Sequence, residues 1–230
     1  MRGAFCAAML LCMFGASLRA SPAKTKFNPV LASSISALVP TSRALPEDRK
    51  AELKRLAAWI TDRRAAKQPV NLLFICTHNS RRSHIAQLWA SVAAAYDGID
   101  GIRTFSGGTE VSAFNPKAVA ALQRAGFTID GGGEGTNPHY KVTFAAGQTP
   151  MDLFSKKYSD PSNPQSDFAA VMTCAQADKS CPLVQGAALR VPLHYEDPKA
   201  ADGTPEEAAT YDARVKQLGS EMLYLFSLVH

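Results

Sequence analysis

Cys76 and Arg82 stand six positions apart in the stretch Cys76-Thr77-His78-Asn79-Ser80-Arg81-Arg82-Ser83. A thiolate is a nucleophile, and a guanidinium offers a planar fork of donors that fits two oxygens of an oxyanion. The apolar run Val70-Asn71-Leu72-Leu73-Phe74-Ile75 before the stretch predicts a strand, and Ile85-Ala86-Gln87-Leu88-Trp89-Ala90 after it predicts a helix. A loop between the two aims backbone N–H groups and a helix dipole at one spot, where a bound anion would touch Thr77, His78, Asn79, Ser80, Arg81, Arg82 and Ser83. A free thiol has a pKa of about 8.5. The helix start, Arg82 and a hydrogen bond from the Ser83 hydroxyl would all favour the Cys76 thiolate. Asn79 can brace the loop by bonding its backbone. The competing reading is an inert cysteine at a strand end with arginines on a solvated helix start. The C-x5-R-S spacing in this setting argues for chemistry: thiolate attack on a tetrahedral oxyanion.

The elements that must position this loop follow from the rest of the chain. It has 230 residues and a net charge of +5 without one long basic run, which suits anionic ligands and does not argue for nucleic acid. Residues 1–20 carry Arg2, the short apolar core Ala4–Ala16 and a small-residue exit near Ala20 and Ala23. That order reads as a signal peptide and places the mature protein in an exported location, periplasmic or secreted. A mis-assigned start codon would leave it cytoplasmic. No segment predicts a stable membrane span. Removing residues 1–20 removes Cys6 and Cys12 and leaves Cys76, Cys174 and Cys181. An odd count suits one reactive thiol plus a pair that can close, rather than a purely structural framework.

Residues 21–69 read as an N-terminal extension. Its Ser-, Ala- and Pro-rich part to residue 45 predicts a loose lead-in, and one helix starts near Pro46 with Leu53, Leu56, Ala57 and Ile60 on one face. Lys50, Lys54, Arg55 and Arg63 form its solvated face. The domain of residues 70–230 then alternates strand and helix: a strand over 70–75, a helix over 83–96, a strand over 102–106, and a helix opened by Asn115-Pro116 and stopped by Gly126. Further strands are expected over 168–173 and 188–193, and a last helix from Pro205 to about Phe226. Residues 131–165, rich in Gly, Pro, Asn and Ser, predict a long loop or insertion with at most short elements. The pattern predicts an α/β fold: a doubly wound, four-stranded parallel sheet with helices on both faces. Ligands in such folds bind beyond the carboxyl ends of the strands, so Cys76 and Cys174, each just after a strand, are expected on one rim.

The loop resembles the phosphate loop of the low-molecular-weight protein tyrosine phosphatase superfamily, which includes the thioredoxin-coupled arsenate reductases. The match lies at Cys76, Asn79, Arg82 and Ser83. It departs at His78, where glycine is usual, and at Arg81, where cysteine is common. The resemblance covers about residues 70–227 and implies a nucleophilic role for Cys76. It also implies an acid from an Asp-Pro pair near the C-terminal end. Of Asp160-Pro161 and Asp197-Pro198, order along the chain favours Asp197; the competing reading of either pair is a turn.

Cys174-Ala175-Gln176-Ala177-Asp178-Lys179-Ser180-Cys181-Pro182 is similar to the redox segment of the reductases. On that resemblance Cys76 forms the arsenate adduct, Cys174 attacks it, and Cys181 completes a disulfide that a thioredoxin-like or other thiol reductant reopens. A straight helix would hold the two thiols about 10 Å apart, so closure needs a looped or partly unwound segment. A structural disulfide in an exported protein is the rival.

The sequence thus supports an arsenate-reductase-like enzyme first. Second comes a phosphatase of phosphotyrosine or another phosphomonoester. Third comes a non-catalytic oxyanion-binding or redox-sensing domain, for which His78 is the hint. Lys199-Ala200-Ala201 follows Asp197-Pro198 where the phosphatases often carry aromatics, which weakens the phosphotyrosine reading. No bound cofactor and no metal are expected, since the histidines and cysteines lack ligand spacing. His84 reads as a helix-surface histidine, Ser106-Gly107-Gly108-Thr109 as a turn, and Tyr140 and Tyr195 as packing or pocket-wall residues.

Overall fold

In the computed structural model, residues 25–230 are described; the expected signal peptide lies outside them. Strands β1 (Val70–Cys76), β2 (Ile102–Gly108), β6 (Phe168–Met172) and β7 (Ala187–Pro192) form a parallel sheet in the order β2-β1-β6-β7. The elements between them are α3 (Arg82–Tyr96), α4 (Pro116–Ala125), the short strands β3 (Thr128–Gly131), β4 (Tyr140–Thr143) and β5 (Met151–Leu153), and α5 (Ala175–Ser180). The chain closes with α6 (Glu207–Ser227). The four expected strands and the helices after Pro46 are all present, with ends shifted by a residue or two.

Alternation along the strands divides the core in two. Leu72, Phe74, Ala169 and Val171 face the larger cluster, built with α3, α4, α6 and the N-terminal helices. Leu73, Ile75, Phe168, Ala170 and Met172 face a smaller cluster that contains Cys76, Cys174, Ala177 and Val184. Helices therefore cover both faces, but unequally: the second face carries only α5 among the described helices, together with loop residues such as Tyr158.

One expectation about the elements needs correction. Residues 21–45 are not a loose lead-in throughout, because Pro29–Arg43 form helix α1, ahead of α2 (Glu47–Ala65). The extension therefore holds two helices, not one. The side chain of Asn28 caps α1 by accepting from the Leu31 N–H at 2.8 Å, and Pro29 opens it. Leu31, Ile35 and Leu38, at i, i+4 and i+7, are buried in the larger core. That spacing was present in the sequence, but the Ser/Ala/Pro composition masked it.

The segment near 131–165 holds only short strands, within the expectation of a long loop or insertion with at most short elements. With β3 it forms an antiparallel sheet β3-β4-β5, and Phe27 bridges to Ala145 at its side. Among the described residues no helix is long and apolar enough to cross a membrane.

Candidate active site

The order β2-β1-β6-β7 puts β1 at the point where the chain's winding reverses, so the crevice beyond the ends of β1 and β6 is the expected binding place. Cys76 ends β1 and Cys174 follows β6 by two residues. Thr173 ties the two ends together: its N–H and its hydroxyl both donate to the Ile75 carbonyl, at 2.7 and 2.9 Å.

The loop after Cys76 is held from outside by its carbonyls. The Cys76 and Thr77 carbonyls accept from the Thr109 and Glu110 N–H groups, the His78 carbonyl from the Ser155 hydroxyl, and the Ser80 carbonyl from the Asn115 N–H. Among the described residues, the N–H groups of Thr77, His78, Asn79, Ser80 and Arg81 have no acceptor. Carbonyls out and amides free is the arrangement of an anion cradle at a helix N-terminus.

Gly108 makes the close nesting feasible: a Cβ there would stand 2.7 Å from both the Thr77 carbonyl oxygen and the Asn79 nitrogen. The expected turn at Ser106–Thr109 is therefore the end of β2 and the wall of the loop.

Asn79 is the internal brace. Its φ of 44° lies in the left-handed region, which asparagine tolerates better than most residues. Fully buried, it donates to the Ser83 hydroxyl at 2.9 Å and accepts from the Lys156 N–H at 2.9 Å. Ser83 Oγ lies 3.1 Å from Cys76 Sγ. A chain thus runs from Lys156 through Asn79 and Ser83 to the sulfur. Ser155 and Lys156 were missed in the sequence, since they come from the supposed loop 77 positions downstream.

Arg82 Nη2 donates to Asp197 Oδ2 at 2.7 Å, and Nη1 donates to the Tyr195 carbonyl at 3.0 Å. Asp197 also caps the 3-10 turn Pro198–Ala201 by accepting from the Lys199 N–H at 3.1 Å. Asp160, by contrast, closes a turn with Ser162 and has no contact with Arg82. Arg81 does not face solvent: its Nε donates to the Tyr211 hydroxyl at 2.8 Å, and it lies within 4 Å of Asp197 and Asp202. His78 does not fill the loop. Its ring is half exposed and pairs with Glu110 at 3.2 Å.

His84 is not on the helix surface. It is fully buried, stacks near Phe114 and shares a 3.0 Å hydrogen bond with Ser106 Oγ. Burial, reinforced by the nearby Lys156 charge, pushes its pKa down to about 3, so it is neutral at ordinary pH.

Cys174 and Cys181 are the two ends of α5, and both are free thiols, as is Cys76. Cys174 Sγ lies 3.4 Å from Thr77 Oγ1 and accepts from the Ala177 N–H at 3.4 Å, so it sits beside the residue after Cys76 at a helix start. Cys181 is half-buried in the same small cluster, next to Tyr158, whose phenol is pushed up by burial and then by that cysteine. Among the described residues no group of His, Cys, Asp and Glu side chains is arranged to hold a metal.

The family profile described as low molecular weight phosphotyrosine protein phosphatase matches residues 71–202. An arsenate reductase from Bacillus subtilis is 30% identical over 152 residues, covering 66% of this chain and 91% of that protein. One from Bacillus licheniformis is 26% identical over 156 residues, covering 68% and 94%. Among solved structures, a YwlE mutant from Bacillus subtilis aligns over 69% of this chain and 97% of its own, with a TM-score of 0.47 and 15% identity.

Proposed function

We propose, for a chain that belongs to the low-molecular-weight phosphotyrosine protein phosphatase family, that it reduces a small oxyanion, arsenate, through a relay of three thiols. The observation that carries this reading is the contact of Cys174 with Thr77, with Cys181 at the far end of the same short helix. A hydrolase needs the loop and an acid, whereas a reductase also needs thiols that can reach the adduct on Cys76. The arsenate reductases among its relatives support the same choice.

The relay balances as follows. The Cys76 thiolate displaces water from protonated arsenate and forms a sulfur–arsenic bond, with the oxygens held by Arg82 and the loop N–H groups. The Cys174 thiolate attacks Cys76 Sγ. The sulfur–arsenic bond breaks with its electron pair going to arsenic, so As(V) leaves as arsenite and a Cys76–Cys174 disulfide forms. Cys181 then attacks Cys174, frees Cys76 and leaves a Cys174–Cys181 disulfide. A thioredoxin-like dithiol supplies the two electrons that restart the cycle. The last exchange requires α5 to bend or unwind, which means releasing the ties of Asp178 and the Cys181 carbonyl to Arg190 and of Asp178 to His194.

A second reading rests on Asp197. It stands 2.7 Å from Arg82 and, once released from that guanidinium by an incoming anion, is placed to give a proton to a leaving oxygen. Phosphomonoester hydrolysis through a cysteinyl-phosphate uses the same Cys76 and Arg82.

The test is to supply arsenate with a thioredoxin system, and separately a chromogenic phosphate ester, to the wild type and to Cys76→Ser, Cys174→Ser and Cys181→Ser. The reductase reading expects arsenite from the wild type, none from Cys76→Ser, and no multiple turnover from either of the other variants. Ester hydrolysis lost in Cys76→Ser but untouched in the other two, without arsenite, would replace it with the phosphatase reading.

A further inference from the structure

The peptide that grips Arg82 is itself gripped from outside the matched domain. Arg49, on α2, donates from Nε to Glu221 Oε1 at 3.2 Å and from Nη2 to Glu221 Oε2 at 2.5 Å, a two-pronged pairing with a carboxylate that is 1% exposed. The same guanidinium donates from Nη1 to the His194 carbonyl at 3.2 Å and lies over the Tyr195 ring, 4.8 Å from its centre. The Tyr195 hydroxyl completes the cluster by donating to Glu221 Oε2 at 2.7 Å. Residues 194 and 195 are thus fixed at the carbonyl, the ring face and the hydroxyl. The Tyr195 carbonyl accepts from Arg82, and two residues later Asp197 takes the other prong of Arg82.

We infer that Arg49 is a positioning residue for the oxyanion site: it sets the His194–Asp197 segment, and through that segment the guanidinium of Arg82. The inference rests on the proposed oxyanion loop and adds that the N-terminal extension is a working part of it. Each link is a charge-assisted or buried hydrogen bond, so the segment cannot shift without breaking several at once. Removing Arg49 leaves the Glu221 carboxylate buried with only Tyr195 and Gln217 as donors, and the 194–197 segment loses its ties at the His194 carbonyl and the Tyr195 ring face, while the Tyr195 N–H bond to the Thr173 carbonyl and the His194–Asp178 pair remain.

The experiment measures inorganic phosphate binding as protection of Cys76 from iodoacetamide, read by peptide mass mapping, alongside urea denaturation. Arg49→Gln is expected to weaken phosphate binding about tenfold, with partial recovery in Arg49→Lys, which keeps the charge but not the fork. Arg55→Gln is the control, because Arg55 also ties α2 to the domain, through the Arg190 carbonyl on β7, but touches nothing near Arg82. It should lose stability and keep phosphate affinity. Where Arg49→Gln folds poorly, Arg49→Gln with Glu221→Gln removes the stranded charge and should still bind phosphate weakly. Phosphate affinity within about twofold of the wild type in Arg49→Gln, or in Arg49→Gln with Glu221→Gln, would overturn the inference. So would an equal loss in Arg55→Gln. No protection of Cys76 in the wild type would overturn the oxyanion-loop reading itself, and this inference with it.

Discussion

Ser83 and Asn79 decide how the Cys76 sulfur is held. Ser83 Oγ, 3.1 Å from Cys76 Sγ, is oriented by the Asn79 amide, which donates to it and leaves its proton free for the thiolate. A hydrogen bond to a charged group contributes about 1.5–3 kcal/mol. Ser83→Ala should therefore slow attack by Cys76 about tenfold to hundredfold, measured as the rate of Cys76 alkylation at fixed pH. His84 gives a second prediction. Its pKa of about 3 in the folded protein lies below the ordinary value near 6.5, so the unfolded chain binds the extra proton between those limits. Its contribution to stability is complete above about pH 6.5 and is lost as pH falls toward 3. Across that window the wild type should lose about 1.4 kcal/mol per pH unit more than His84→Gln, read from urea midpoints. The loop from Cys76 to Ser83 was legible in the sequence because its spacing, between a strand pattern and a helix pattern, is local. Ser155, Lys156, Arg49 and Glu221 were not, since their partners lie far along the chain and meet them only once it is folded.

The elements that place the loop were read from periodicity and caps, and the N-terminal helix was the one misjudged. α4 shows a legible case: Asn115 caps it, Pro116 opens it and Gly126, at φ 106°, ends it. Gly126 also packs against the start of α1, where an added Cβ would stand 2.3 Å from the Leu31 nitrogen. α1 carried the same kind of start signal at Asn28-Pro29, but a composition of Ser, Ala and Pro outweighed it. Its burial is testable. Ile35 is 1% exposed, so Ile35→Ala should cost about 2–5 kcal/mol by urea denaturation. A loss under about 0.5 kcal/mol would mean that α1 is not part of the core. Gly219 on α6 marks where α1, α3 and α6 meet: an added Cβ there would lie 2.7 Å from a Leu38 methyl and 2.9 Å from the Trp89 ring. Gly219→Ala gains about 1 kcal/mol of helix propensity and incurs overpacking of about 1–3 kcal/mol, so a net loss of stability is expected.

At the scale of the whole molecule, the fold offers one rim where three thiols from two strand ends and a short helix share a small apolar cluster. That rim was foreseen from the alternation of strands and helices; the thin helical cover on its side of the sheet was not, because strand patterns do not say which face a crossover takes. A chain whose loop binds oxyanions must be stabilised by them. Phosphate at about a hundred times its dissociation constant should add about 2.7 kcal/mol to stability, and Arg82→Ala should lose that gain. We further propose export, on the N-terminal segment outside the described residues, which predicts a mature protein starting near residue 21; an intact N-terminus in the native host would refute it. An exported relay would draw on a local dithiol reductant. The most direct test of the central claim is one turnover of arsenate by fully reduced Cys181→Ser, quenched with acid and read by peptide mass. The thiol relay predicts one arsenite per protein and a trapped Cys76–Cys174 disulfide. Arsenite without that disulfide, or no arsenite while Cys76 is protected by arsenate, would contradict it.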